Sequence, residues 1–96
     1  MSKKIKAKIF WIPYEQGGRK EIPFSDKYAP IIKIINPKFE YNDFWSIFVM
    51  NKSFVSENVT IANMEYLSDS APDNLSANTE FKLYEGNKMV ATGVVL

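Results

Sequence analysis

The chain has 96 residues, 46% of them hydrophobic and 15% aromatic, with a formal charge of +1, the balance of one folded domain rather than a disordered tail. It holds no cysteine and no histidine. That excludes a disulfide framework and a thiol nucleophile, and it removes the commonest general base and transition-metal ligand.

In chain order, Lys4-Ile-Lys-Ala-Lys-Ile-Phe-Trp-Ile12 alternates strictly. Ile5, Ala7, Ile9 and Trp11 share one face, and Lys4, Lys6, Lys8, Phe10 and Ile12 the other, so a half-buried strand is predicted over 4–13. Lys4, Lys6 and Lys8 form a lysine ladder that reads as a solvated, aggregation-resistant face or, more sharply, as a basic surface for phosphates. The apolar run at 9–12 is stopped by Pro13, too short for a secretion signal or a membrane span, so a cytoplasmic protein off the membrane is expected. The Asn-x-Ser/Thr triplets at Asn51, Asn58 and Asn74 then read as chance.

Residues 13–30 form a long connection with a Gly17-Gly18 turn and three prolines, and connections of that length are usually functional. Gly17-Gly-Arg-Lys20 lacks the context of a phosphate loop, so no nucleotide or cofactor is expected, though Arg19 and Lys20 have the chemistry to contact an anion. Strands are predicted at 30–36, from the β-branched Ile31-Ile-Lys-Ile-Ile35, and at 43–51, where Trp45, Ile47 and Val49 oppose Phe44, Phe48 and Met50. Another is predicted at 58–68. A polar, turn-rich loop follows at 68–79, where the acidic residues have no metal-ligand spacing.

The last sixteen residues predict a hairpin, with strands at 79–85 and 88–95 about the Gly86-Asn87 turn. Phe81 and Leu83 alternate with Lys82 and Tyr84. Met89 to Val95 is small and apolar on both faces, which predicts a strand buried on both sides or closed into a barrel. Ile9, Trp11, Phe44 or Phe48, Phe81, Leu83 and Val94 are the expected core. Six short strands and no helical stripe argue for an all-β sandwich or small barrel. Charge is uneven along the chain: residues 1–38 hold nine basic against three acidic side chains, and residues 39–96 three against eight.

Two stretches carry a resemblance. Lys4 to Arg19, running into Glu15-x-Gly17-Gly18-Arg19, resembles the opening of the third domain of translation elongation factor Tu. Phe81-x-Leu-x-Glu-Gly-x-Lys-x-Val-x-x-Gly-Val-Val95 resembles that domain's last hairpin. Pro23-Phe24 and Tyr28-Ala29-Pro30 match, in order, its Pro-Phe and Tyr-Arg-Pro elements, while residues 36–80 match only in pattern. The resemblance implies a six-stranded antiparallel β-barrel, 1–96, standing without the factor's nucleotide-binding domain, so GTP hydrolysis does not carry over.

In that family the barrel touches aminoacyl-tRNA, the GTPase domain and the exchange factor. By motif, Gly17, Gly18, Arg19, Lys20, Tyr28, Glu85 and Gly86 fall on binding positions: Arg19 on an arginine near tRNA, Lys20 on a neighbouring histidine, Glu85 and Gly86 on the hairpin turn. Ala29, Ile31 and Tyr84 replace a family arginine, glutamine and arginine, and a residue is inserted near Ile22. Loss of two arginines removes bidentate phosphate contacts. The expectation is therefore a non-enzymatic module that engages a protein partner. The alternatives are a weak RNA binder and an immunity- or decoy-type mimic of the factor. No metal or cofactor is expected.

Overall fold

The computed structural model describes residues 4–23, 25–35, 45–71 and 75–96. Among the described residues six strands are present: β1 (Ile5–Trp11), β2 (Ile31–Ile35), β3 (Trp45–Ser56), β4 (Val59–Tyr66), β5 (Glu80–Glu85) and β6 (Lys88–Val95). All neighbours run antiparallel, in one sheet of order β1-β4-β3-β2-β5-β6 that closes on itself. Closure leaves every strand with two partners and no sheet edge along its paired length. Among the described residues the seam between β2 and β3 pairs Ile31 with Ser46 and Ile32 with Trp45, and the amides of Ile47 and Val49 donate to the carbonyls of Pro30 and Tyr28 and prolong it. The end of the long 13–30 connection thus belongs to the sheet.

Period-2 alternation decides what fills the ring. Ile5, Ala7, Ile9 and Trp11 of β1 point inward with Thr60, Ala62, Met64 and Tyr66 of β4. Ile47, Val49, Ile32, Phe81, Leu83, Val90, Ala91 and Val95 complete the interior, and Leu75 joins it from the last long loop. The buried hydroxyl of Thr60 accepts a 2.9 Å hydrogen bond from the Trp11 indole N–H, so neither polar atom is left unpaired inside.

Several expectations need correction. Val94 is only half-buried: it points outward between Lys8 and Glu80, its register partners, and Val95 takes the inward position. The outer face of β6 is therefore not core: of the two readings of this strand, burial on both sides fails and closure into the ring holds. Phe48 is likewise half-buried and faces outward opposite Glu65, while Phe44 and Phe24 lie outside the described residues. β3 runs on to Ser56, five residues past the predicted end. The pairing with β4 shifts between Met50 and Ser53, where Asn51 takes a left-handed φ of 53° and its amide donates to Asp26 Oδ1. A polar Asn-Lys-Ser run signals a strand end, whereas here it is a bulge. A 3-10 turn, Tyr14–Gln16, opens the 13–30 connection, where the sequence predicts only a loop.

Candidate functional site

The 13–30 connection crosses the end of the ring at which β1 finishes. Pro13 leads into the 3-10 turn, and Gly17 closes it in the left-handed region at φ 94°, with its amide donating to the Tyr14 carbonyl. Gly18 then passes so close to the preceding chain that a Cβ there would sit 1.7 Å from the carbonyl oxygen of Ile12. This tight return aims Arg19 back across the ring end. Ile22 and Tyr28 pack onto the core, and the Tyr28 ring lies 6.0 Å from that of Trp11.

Three side chains far apart in sequence meet there. Arg19 Nη1 donates to Glu85 Oε2 at 2.5 Å, and the Tyr28 hydroxyl donates to the same oxygen at 2.5 Å. Arg19 Nε also donates to the Glu21 carbonyl at 3.0 Å, and its guanidinium carbon stands 5.3 Å from the Tyr28 ring centre. Glu85 is placed by β5, immediately before the turn at Gly86, whose φ of 60° suits glycine.

The electrostatics lock the cluster. Burial by itself raises the Glu85 carboxyl, but the hydrogen bonds from Tyr28 and Arg19 and the charges of Arg19 and Lys88 outweigh it and hold it below its ordinary value. The hydrogen bond to Glu85 raises the Arg19 guanidinium further. Burial, then the bond to Glu85, push the Tyr28 phenol well above its ordinary value. The cluster therefore stays as cation, anion and neutral phenol across the middle of the pH range.

A pH dependence follows with opposite signs on the two sides. Glu85, lowered in the folded state, contributes stability above the ordinary carboxyl range, and that is lost as pH falls through its folded value. Tyr28, raised in the folded state, contributes stability below about pH 10 that is lost as pH rises beyond it. Arg19 and Glu85 are each about one-third exposed, at 34% and 33%, so solvent screens part of the effect. Glu85→Gln is expected to cost roughly 1–2 kcal/mol at neutral pH, with the gap to wild type narrowing below about pH 4. Urea unfolding of both chains from pH 7 to pH 3 checks this; a constant gap would show that the carboxylate charge does nothing.

Of the residues singled out from sequence, Arg19, Tyr28 and Glu85 are brought into contact. Gly17, Gly18 and Gly86 shape the backbone that delivers them. Lys20 is exposed and, with Arg19, Glu21, Glu85 and Lys88, lines a shallow recess beside the cluster. Lys4, Lys6 and Lys8 lie elsewhere. They stand on the outer face of β1, with Lys4 at the end of the strand remote from Trp11, and Lys8 lies over the Phe10 ring at 5.5 Å. The ladder and the Arg19 corner thus do not form one basic surface.

Sequence reasoning did not single out a second feature, a cleft of about 380 Å³ bounded by Trp11, Pro13, Tyr14, Ile22, Phe54 and Glu57 among others. It depends on the unforeseen extension of β3. Among the described residues no three acidic side chains gather as a metal site, and no helix is long and apolar enough to cross a membrane. The chain matches no family model and no curated protein.

Proposed function

We propose that this chain is a non-enzymatic, cytoplasmic binding module that engages a protein partner, built like the third domain of elongation factor Tu but working without its GTPase domain. One observation carries the reading: the Gly-Gly-Arg, Tyr-x-Pro and Glu-Gly segments, which carry the resemblance, converge at one end of the ring through Arg19, Tyr28 and Glu85. The closed six-stranded antiparallel sheet agrees with that plan.

The chemistry of the corner supports binding over catalysis. General acid–base work needs a group that exchanges protons near the operating pH. Here Glu85 is lowered, and Tyr28 and Arg19 are raised, all away from neutrality. Lys52, whose amine is lowered by burial, donates to the carbonyls of Ser25 and Val49 instead of facing a reactive partner. The apolar interior and the lysines on the outer face are the reverse of a lipid-facing barrel. Affinity capture from native extract, before and after RNase, tests the proposal. A protein retained after RNase, and rebuilt with the purified chain as a complex of defined stoichiometry in sedimentation, is the expected result. Retention that disappears with RNase would overturn it.

Weak RNA binding is the second reading, and a specific feature favours it. Lys33 on β2 and Lys82 on β5 are direct cross-strand partners, with Lys6 and Lys8 on the outer face two strands away. Like charges placed opposite each other are unfavourable alone, and a phosphate relieves them. Arg19, by contrast, is already neutralised by Glu85. Binding of tRNA near physiological salt is therefore expected to be weak, to fall steeply as salt rises, and to ignore aminoacylation. Fluorescence titration at several salt concentrations decides: tight, aminoacylation-selective binding that survives added salt would favour the RNA reading over the protein one.

A further inference from the structure

Four of the seven exposed large apolar side chains among the described residues, Phe10, Tyr14, Phe54 and Val55, lie on β1, the 3-10 turn and the β3–β4 hairpin near the ring end where β1 finishes. Two of them, Tyr14 at 63% exposure and Phe54 at 54%, line the cleft described above from separate elements, the 3-10 turn and β3. Trp11, Pro13 and Ile22 supply its apolar lining. A concave apolar surface with exposed aromatic walls is the form of a small recognition pocket.

The cleft is also held open in advance. Phe54 belongs to the part of β3 that runs past the seam with β2, where the strand pairs with β4. The hairpin tip is pinned: the Trp11 amide donates to the Asn58 carbonyl at 2.8 Å, and Trp11 Nε1 bonds Thr60 on the same hairpin. At the 3-10 turn, the Gln16, Gly17 and Gly18 amides all turn back onto the carbonyls of Pro13 and Tyr14. Little ordering remains to be done when a ligand enters, which favours affinity.

Charge selects the ligand. Glu15, Glu21 and Glu57 line the cleft, and among the described residues none of the three has an ion-pair partner. Of the two lining cations, Arg19 is taken by Glu85, which leaves Lys20. The cleft therefore presents three carboxylates against one unpaired cation, and Lys20 and Glu21 also border the neighbouring recess.

We propose that this cleft docks a peptide segment of the protein partner that offers an apolar or aromatic side chain flanked by lysine or arginine. The apolar residue seats against Trp11 and Ile22 between Tyr14 and Phe54, and its basic neighbours meet Glu21 and Glu57. The assignment rests on the protein-binding reading above and gives it a site and a partner chemistry.

The test is selection of a displayed random-peptide library on the immobilised full chain, followed by titration of the enriched peptides as fluorescent probes. Enriched peptides are expected to pair an apolar or aromatic residue with a nearby Lys or Arg. Phe54→Ala and Tyr14→Ala are each expected to weaken them by about tenfold or more, as central aromatic anchors do. Glu21→Gln and Glu57→Gln, isosteric and exposed, are each expected to weaken them roughly two- to fivefold, with a shallower salt dependence. Glu80→Gln, exposed at the end of β5 away from Glu85, should leave binding unchanged, and thermal melts establish that each variant folds. No enrichment, enrichment of acidic peptides, or equal binding to the Phe54 and Glu57 variants would overturn the cleft. Those results leave the protein-binding reading standing if capture after RNase still succeeds, so the two fail separately.

Discussion

Phe81→Ala is expected to destabilise the chain by about 3–5 kcal/mol, the usual cost of emptying the site of a large aromatic core residue. Phe81 is fully buried and is the largest of the completely enclosed side chains. Its cross-strand partner on β6 is Gly93, and a Cβ at Gly93 would lie 2.4 Å from Phe81 Cζ. The ring thus occupies the space that the glycine leaves. A domain of this size has on the order of 5–15 kcal/mol to lose in total. The melting temperature should therefore fall by on the order of 15 °C or more. The converse substitution, Gly93→Ala, is expected to cost about 1–3 kcal/mol by overpacking. In a Phe81→Leu background that cost should shrink, because the shorter side chain withdraws from the new methyl. Urea unfolding of the two single variants and the double variant measures the coupling; strictly additive effects would show that ring and glycine do not share one space.

Gly18→Ala is the second large effect expected, and it acts on both stability and site. The added Cβ would meet the Ile12 carbonyl oxygen at 1.7 Å, the Ile12 carbonyl carbon at 2.5 Å and the Pro13 carbonyl oxygen at 3.0 Å. All three are backbone atoms, so no side-chain rotation relieves the contact and the turn itself must open. That breaks the 3.0 Å hydrogen bond from the Gly18 amide to Pro13 and moves Arg19 off Glu85. A loss of about 3 kcal/mol or more is expected, at or beyond the upper end of ordinary overpacking. Gly17→Ala, where nothing lies within 4 Å, is the control: its only penalty is the left-handed φ, about 1 kcal/mol. Melting of the two variants, with the Tyr28 ring resonances followed by NMR, separates them. Equal destabilisation, or a Gly18→Ala spectrum in which the Tyr28 environment is unchanged, would refute the close-approach argument.

Both effects turn on contacts made by glycines, yet the two differ in how visible they are from the chain alone. Gly17-Gly18 announces a turn, because paired glycines between apolar runs rarely serve otherwise. That the second glycine touches the Ile12 carbonyl, while the first only needs its φ, is a matter of three-dimensional approach. Gly93 in an apolar run reads as a small strand residue, and its pairing with Phe81 depends on hairpin register, which a bulge between Leu83 and Tyr84 displaces.

By itself the sequence determined the local terms. Alternation in Ile5–Trp11 assigns inner and outer faces, since successive strand residues point oppositely, whereas in Val59–Tyr66 only the packing places Thr60 inside and Val59 and Ile61 outside. Gly86-Asn87 specifies the last turn, and the lack of histidine and cysteine bounds the chemistry. Arg19 and Lys20 show their anion-contacting chemistry in the sequence, but no spacing joins Arg19 to Tyr28 and Glu85. The tertiary structure alone decided which strands pair, placing β1 between β4 and β6 and β2 beside β5. It also carried β3 through the bulge at Asn51 to Phe54, and so formed the cleft. Arg19 and Glu85 are 66 residues apart, and which oxygen neutralises the guanidinium depends on ring closure bringing the 13–30 connection over the end of β5. Local propensity acts over a few residues, whereas partner choice, register and charge neutralisation are set by the packing of segments that the chain order keeps far apart.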